Sequence, residues 1–187
     1  MTEALPHDAA SDLAPHAQGV RAELRALYRA HARDVWHTLR RLGVPNRDLE
    51  DAMHEVYLVA WRRLDGFDRS RPARPWLCGI AWRVAAAWRR KASARNESLG
   101  LPDQVRDAQD DATTALERAA AVRAVHAALA TLPEAQRDVF VLHELDGLSM
   151  PEISTLVDAP LNTLYSRLRL ARARFADELR LREEELR

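Results

Sequence analysis

The chain has 187 residues and no net charge, because 28 basic side chains balance 28 acidic ones. This length allows one domain or two small ones, and a hydrophobic share of 47% excludes global disorder. Cys78 is the only cysteine, which excludes an internal disulfide. We find neither a signal peptide nor an apolar stretch near the ~20 residues of a membrane span. We therefore expect a cytoplasmic protein without membrane insertion.

The sequence pattern of the N-terminal half predicts a tail followed by three helices. Residues 1–19 mix prolines with small and polar residues, and we expect a disordered tail there. Apolar residues at three- and four-residue steps predict helices at 20–42, 46–64 and 75–91. Gly43 ends the first helix, and a loop rich in proline and arginine separates the second from the third.

A row of acids marks the second helix. Asp48, Asp51 and Glu55 recur at i, i+3 and i+7, away from the apolar stripe. Acids in the first turns favour the helix dipole, so simple stabilisation is the default interpretation. The alternative is a docking surface for a basic partner. These residues alone leave both interpretations open.

The loop and the third helix form a basic segment with aromatic residues. Residues 69–95 hold eight basic side chains and no acid, with Trp76, Trp82 and Trp88 among them. Basic charge binds backbone phosphate and aromatic faces stack on unpaired bases, so this segment suits an opened duplex. The alternative is a tryptophan core with solvated arginines. We expect Trp76 and Trp88 in the core and Trp82 exposed.

An acidic connection follows this basic segment. Residues 93–114 contain glycine, proline and many polar residues, which predicts a linker. Residues 97–117 hold six acids and one base. The zero net charge therefore results from basic and acidic segments that balance each other along the chain. Two further helices are predicted at 115–131 and 134–145.

The C-terminal region predicts a helix-turn-helix. Ser149 and Glu152 form a capping box before a short apolar run, and an Asp-Ala-Pro turn ends at Pro160. The longer helix that follows carries arginines, with no acid between Asp158 and Asp177. In a helix-turn-helix, such a second helix enters the DNA major groove. The alternative is an ordinary helical hairpin with a solvated arginine face.

The sequence contains no set of residues typical of an enzyme or a metal site. It has no glycine-rich phosphate loop, no Cys/His zinc set and no nucleophile in an activating context. We therefore expect no catalytic residues, no bound metal and no cofactor.

Two segments together resemble the extracytoplasmic-function (ECF) sigma factors of bacterial RNA polymerase. The family's N-terminal domain is similar to DLEDAMHEVYLVAWRRLDGFD followed by RPWLCGIAWRVAAAWRRK. Its promoter-binding C-terminal domain is similar to LPEAQRDVFVLHELDGLSMPEISTLVDAPLNTLYSRLRLARARF. The resemblance implies an all-α fold of two small helical domains joined by a flexible acidic linker. Sigma region 2 would occupy 20–92, the linker 93–114 and sigma region 4 115–187.

The resemblance also implies roles for the matching positions. Core polymerase would be bound at its β′ clamp helices by the second helix, through Asp48, Asp51, Glu55 and Trp61. The −10 promoter element would be read and opened by Arg69, Arg71, Arg74, Trp82, Arg83, Arg89, Arg90 and Lys91. The −35 element would be read by Asn162, Thr163, Ser166, Arg167, Arg169 and Arg172. Region 4 would also contact the β flap of the polymerase.

These implications predict a sigma factor that binds core polymerase, recognises promoter DNA and promotes transcription initiation without chemistry of its own. By the same resemblance, an anti-sigma factor is an expected partner. The alternative is a one-component helix-turn-helix transcriptional regulator with a helical N-terminal domain, which binds its operator without polymerase. A helical protein-interaction module with no DNA role is a third hypothesis.

Overall fold

The computed structural model describes residues 9–94 and 112–185. Within these ranges the chain forms helices and short connections and no strand, which confirms the all-α prediction. The helices are α1 (Ala9–Arg41), α2 (Leu49–Arg63), α3 (Ala73–Ala94), α4 (Ala112–Thr131), α5 (Glu134–Phe140), α6 (Met150–Val157) and α7 (Leu161–Glu185). Single 3-10 turns flank α2 at Asn46–Asp48 and Leu64–Gly66, and a π-helical turn, Val141–Leu145, continues α5.

Three helix ends extend at least three residues beyond their predicted limits. α1 begins at Ala9, so the predicted disordered tail is wrong for 9–19; the residues before Ala9 lie outside the described ranges. α3 continues to Ala94 and α4 begins at Ala112, so the predicted linker is helical at both edges, and its middle, 95–111, lies outside the described ranges. Alanine is frequent at all three ends and has the highest helix propensity, so small residues there favour helix and not a loop.

The N-terminal half is a three-helix unit in which α1, α2 and α3 all contact one another. Their apolar stripes meet in a core that includes the fully buried Leu39, Val56 and Leu77. Gly43 has a φ of 90°, and its N–H donates to the carbonyl of Arg40 at 3.0 Å. This left-handed position ends the helical path as predicted and turns the chain toward α2.

The helix-turn-helix is formed by α6 and α7. The capping box is confirmed, because Ser149 Oγ accepts from the N–H of Glu152 and the Glu152 carboxylate accepts from the N–H of Ser149 at 3.0 Å. Asp158 has a φ of 51°, the left-handed geometry that its short polar side chain tolerates. α7 packs on α4, α5 and α6 through buried residues that include Leu164 and Leu168.

The two halves pack directly against each other and share one apolar core. A single cluster of buried residues runs from α1–α3 into α5–α7. In one of these contacts, a Cβ atom placed at Gly79 of α3 would lie 3.8 Å from the methyl carbons of Leu156 in α6. The absence of a side chain at Gly79 therefore lets the short helix of the helix-turn-helix lie against α3.

Candidate nucleic-acid and protein interfaces

The acidic row begins in the 3-10 turn before α2 and continues along the outer side of α2. Asp51 is exposed and Asp48 half-buried, while Glu55 accepts a hydrogen bond of 3.1 Å from Trp88 Nε1. Trp61 is 48% exposed although it is a large apolar side chain. At about 100° per residue, the three acids and Trp61 share one arc of about 140°. The structure thus brings the four predicted protein-binding residues onto one face.

The loop before α3 is ordered by its own side chains. Phe67 stacks on Trp76 with ring centroids 4.5 Å apart, which anchors the loop to the start of α3. Asp68 accepts hydrogen bonds from the N–H and the hydroxyl of Ser70, and these hold the pKa of its carboxyl below the usual value. The guanidinium of Arg69 donates two hydrogen bonds to the carboxylate of Glu23 in α1, at 2.9 and 2.8 Å. Arg69, one of the predicted DNA-binding arginines, is therefore paired within the N-terminal half.

Three of the predicted −10 residues are exposed on α3. These are Arg83, Arg90 and Lys91. The ammonium of Lys91 lies 5.3 Å from the ring centroid of Trp88, a cation–π contact. This part of α3 therefore offers three cations to solvent.

The remaining predicted −10 residues contact the C-terminal half of the chain. Trp82 was expected to be exposed, but it is half-buried and its Nε1 donates to Asp138 of α5 at 2.7 Å. Arg89 is 4% exposed and donates to the same carboxylate at 2.9 Å. The expectation of an exposed Trp82 is thus wrong, and Arg89, a predicted DNA contact, is buried. The physical reason is the buried carboxyl opposite them, which requires hydrogen-bond donors.

A groove of about 420 Å³ lies between the Gly66–Pro75 loop, α3 and α6. Its lining includes the apolar side chains of Phe67, Trp76 and Leu156 and the basic side chain of Arg83. Arg71 crosses one edge of the groove and donates to Glu152 at 2.6 Å. The groove therefore combines aromatic surface with positive charge beside the predicted −10 segment.

The predicted −35 residues lie on three different sides of α7. Asn162, Ser166 and Arg169 are exposed, opposite the buried Leu164 and Leu168. Arg172 lies on the flank of this face and pairs with Glu144.

Two predicted −35 residues lie on the other flank of α7. Thr163 is half-buried, and its carbonyl accepts a hydrogen bond from the Ser166 hydroxyl at 3.3 Å. Arg167 is also half-buried and lines a cavity of about 240 Å³ together with Trp82 and Asp138. The outward face of α7 is therefore formed by Asn162, Ser166 and Arg169, whereas Arg167 lines the cavity beside α5.

Comparison with known proteins supports two regions in this order. The family model of Sigma-70 region 2 matches residues 27–95, and that of Sigma-70 region 4 matches residues 122–175. NccH of Alcaligenes xylosoxydans, an RNA polymerase sigma factor, is 29% identical over 163 residues, which are 84% of this chain and 87% of NccH. SigL of Mycobacterium tuberculosis, an ECF RNA polymerase sigma factor, is 33% identical over 156 residues, which are 80% of this chain and 85% of SigL.

The chain belongs to the ECF family of RNA polymerase sigma factors. Its fold is that of solved sigma factors: RpoE of Bartonella quintana, in complex with the anti-sigma factor NepR, superimposes with a TM-score of 0.64 at 18% identity. That match covers 84% of this chain and 97% of RpoE. The family prediction made from the two sequence segments is confirmed.

The structure of this sigma factor adds residues that the sequence had not singled out. Tyr165 is 56% exposed on α7, one residue before Ser166, and its position at i+3 from Asn162 could have marked it. The carboxyls of Asp138, Asp146 and Glu152 lie at the contact between the two halves. No periodic pattern distinguishes such contact acids from solvated ones.

Residues 9–94 and 112–185 contain no cluster of three or more His, Cys, Asp or Glu side chains that could hold a metal ion. Over the same residues, no helix of the sigma factor is long and apolar enough to cross a membrane.

His126 of α4 is buried where α4 approaches the end of α1. It is 6% exposed. Its burial, together with the nearby Arg40, Arg41 and His37, lowers its pKa to about 4. The imidazole is therefore neutral in this packing at neutral pH.

Asp146 is also buried near the end of α1, where it contacts Thr38 and Arg41. It is 1% exposed and accepts a hydrogen bond of 2.9 Å from the hydroxyl of Thr38. Burial raises its pKa to about 6, although Thr38, Arg41 and Arg74 favour the charged form. Burial thus lowers the pKa of His126 and raises the pKa of Asp146.

We expect the His126→Gln variant to show an altered pH dependence of stability. The unfolded chain takes up a proton near pH 6.5, but folded His126 resists protonation until about pH 4, so stability is lost as pH falls through this window. Relative to the wild type, His126→Gln should gain about 2 kcal/mol of unfolding free energy between about pH 7 and about pH 5. Urea denaturation at both pH values measures this difference.

Asp146→Asn is the contrasting variant in this experiment. In the wild type, the buried Asp146 carboxyl lowers stability as pH rises from 3.8 to about 6. The Asn side chain does not titrate, so the variant should lack this loss of stability. The difference between this variant and the wild type should therefore change in the opposite direction to that of His126→Gln. A His126→Gln difference that is constant with pH would contradict the assignment of His126 as a neutral buried group.

Proposed function

We propose that this ECF sigma factor binds core RNA polymerase through α2, reads the −10 element with the Gly66–Pro75 loop and α3, and reads the −35 element with α7. One observation carries this proposal: from Leu161 to Phe175 the outward face of α7 has no acid and presents Asn162, Ser166 and Arg169 together. A helix-turn-helix uses such a face to contact base edges in the major groove. The sequence regions 20–92, 93–114 and 115–187 would then act as region 2, linker and region 4.

The docking of core polymerase is supported by the outer face of α2. Asp51 and Trp61 are exposed there without a role in the core. An exposed aromatic side chain beside carboxylates is suited to a basic protein partner, because the ring supplies contact area and the acids supply complementarity. The partner would be the β′ clamp helices, and region 4 would add a contact with the β flap.

The −10 role is supported by the basic and aromatic character of the segment around α3. Arg83, Arg90 and Lys91 are exposed, and the groove beside them has aromatic walls. Cations bind the strand backbone and aromatic faces stack on unpaired bases, which is what strand opening requires.

The sigma factor would perform no chemistry of its own and would work in the cytoplasm, where bacterial RNA polymerase transcribes DNA. An anti-sigma factor is a further expected partner, since the structurally similar RpoE is bound to the anti-sigma factor NepR. The proposed contacts require neither a metal nor a cofactor.

We predict a difference between two arginines on α7. Arg169→Ala should weaken binding of the −35 element by about 1–3 kcal/mol, because Arg169 is exposed on the outward face. Arg167→Ala, the same substitution two residues away, should have a smaller effect because Arg167 is half-buried and lines a cavity away from that face. Fluorescence anisotropy of a labelled promoter duplex, titrated with polymerase carrying each variant, measures both. Equal losses for the two variants would contradict the assigned face.

Binding with and without polymerase tests the proposed function. The sigma factor should co-purify with core enzyme, and promoter duplex should be bound tightly only by the assembled complex. A transcriptional regulator would bind its operator without polymerase, and a protein-interaction module would show no salt-dependent binding of promoter DNA in either case. Failure to bind core polymerase would refute the proposal.

A further inference from the structure

A row of four exposed arginines lies along α1. Arg21, Arg25, Arg29 and Arg33 follow one another at four-residue steps, and each of them is exposed. In an α-helix such a step advances about 6 Å along the axis and turns about 40° around it, so the four side chains form a continuous row about 18 Å long. We call this row the arginine ridge. Positive charge is thus concentrated along one flank of the N-terminal half.

Both acids in this part of α1 pair with basic residues of the loop and of α3. Residues 20–41 contain two acids, Glu23 and Asp34. Glu23 accepts hydrogen bonds from Arg69, and the Asp34 carboxylate lies 3.5 Å from the guanidinium of Arg74. Like charges at i and i+4 destabilise a helix, so the arginine ridge lowers the stability of α1 in the free protein. An anionic partner outside the fold would offset this repulsion.

Two exposed aromatic side chains join the arginine ridge to the acidic row of α2. Tyr28 follows Arg25 by three residues and is 51% exposed, and its ring centroid lies 4.8 Å from that of Tyr57 in α2. Trp61, one turn after Tyr57, is 48% exposed. At about 100° per residue, Trp61 lies between Tyr57 and the acidic row on the surface of α2. One exposed face therefore runs from the acidic row through Trp61 and Tyr28 to the ridge.

We propose that the arginine ridge is a second docking surface for core RNA polymerase and binds an acidic surface of the enzyme beside the segment that α2 contacts. This rests on the proposed docking of α2. An aromatic centre with a charged rim is the usual anatomy of a protein interface. Opposite charges on the two sides of Trp61 and Tyr28 fix the orientation of the partner, because a partner turned by half a rotation would meet like charges.

The charges around the arginine ridge favour a protein partner over nucleic acid. The axes of packed helices lie about 8–10 Å apart, so a DNA duplex on the ridge would also approach the acidic row of α2. The DNA backbone is negative along its whole length and would be repelled there. A protein surface can carry acids opposite the ridge and bases opposite the acidic row. Guanidinium groups also pair with carboxylates through two parallel hydrogen bonds.

Charge reversal tests the arginine ridge. Arg25→Glu combined with Arg29→Glu should lower the association rate constant for core polymerase about tenfold in low salt, and the difference from the wild type should shrink as salt is raised. Replacement of both arginines by lysine keeps the charge and should preserve nearly the wild-type rate. Stopped-flow fluorescence of labelled sigma factor measures these rates.

Arg123→Glu combined with Arg180→Glu is the matched control, because it makes the same charge change at exposed positions of α4 and α7. It should associate as the wild type does. A wild-type association rate for the double reversal at Arg25 and Arg29, with helix content retained by circular dichroism, would overturn the proposal.

A photocrosslink distinguishes the two kinds of partner. With p-benzoylphenylalanine in place of Tyr28, irradiation of the complex with core polymerase and promoter DNA should link the sigma factor to a polymerase subunit. Crosslinks to DNA, together with reversals that weaken duplex binding and leave association with core polymerase unchanged, would overturn the proposal in favour of a nucleic-acid site.

Asp51→Arg separates failure of the arginine ridge from failure of the α2 docking surface. Weaker binding of core polymerase by both Asp51→Arg and the double reversal is the predicted result. If Asp51→Arg alone weakens binding, the ridge is not a docking surface and the role of α2 stands. If both variants associate as the wild type does, the docking of α2 is refuted and the ridge proposal fails with it.

Discussion

Asp51→Arg should abolish binding to core RNA polymerase and leave the fold intact. Asp51 is exposed on the outer face of α2 and takes no part in the core, so its replacement leaves packing unchanged. A reversed charge facing a basic partner adds repulsion where there was attraction, and like-charge contacts cost several kcal/mol. We expect affinity for core enzyme to fall by at least about a hundredfold, or about 3 kcal/mol.

Asp177→Arg is the matched control, because it makes the same charge change on the exposed surface of α7. It should bind core polymerase as the wild type does. Affinity measured by anisotropy of labelled sigma factor, together with circular dichroism and urea denaturation, separates lost docking from lost folding. Wild-type affinity of Asp51→Arg would show that the α2 face is not the docking surface.

Leu164→Ala should destabilise the helix-turn-helix by about 2–5 kcal/mol. Leu164 is fully buried at the start of α7, where α7 packs on its neighbours, and truncation leaves a cavity in addition to the lost apolar burial. The free energy of unfolding of a small domain is only a few times larger than this loss. We therefore expect −35 binding to be lost together with the structure of α7. The expected result is a lower unfolding midpoint in urea.

Leu170→Ala is the control for this prediction, since the same substitution on the same helix removes a side chain that is 39% exposed. Its effect on stability should be within about 0.5 kcal/mol of zero, as for surface positions in general. Similar unfolding midpoints for the two variants would contradict the assignment of the buried face of α7. That result would also remove the basis for assigning its outward face to DNA.

Local signals in the sequence predicted much of the helical framework. The capping box of Ser149 and Glu152 and the turn at Asp158 involve neighbours in the chain, and local chemistry determines both. The helix end predicted at Gly43 is likewise confirmed, because Gly43 has a φ of 90°. Helix ends rich in alanine were missed because alanine occurs in tails and helices alike.

The contact between the halves could not be predicted from these signals. Arg89 and Trp82 meet Asp138 across sequence separations of 49 and 56 residues. Periodicity assigns a residue to a face of its helix, but it does not identify what covers that face. Burial of Arg89 therefore depends on packing between halves. Arg167 lines the same cavity as Asp138 for the same reason, whereas Arg169, two residues on, stays exposed.

Transcription in vitro from a DNA pool with randomised upstream sequence tests the central claim most directly. Core polymerase with this sigma factor should transcribe a subset of templates that share two short elements at a fixed spacing. Asp51→Arg should abolish these transcripts, and Arg169→Ala should relax the sequence of the upstream element. Transcription that does not depend on the added chain, or selected templates without common elements, would contradict its role as a promoter-recognising sigma factor.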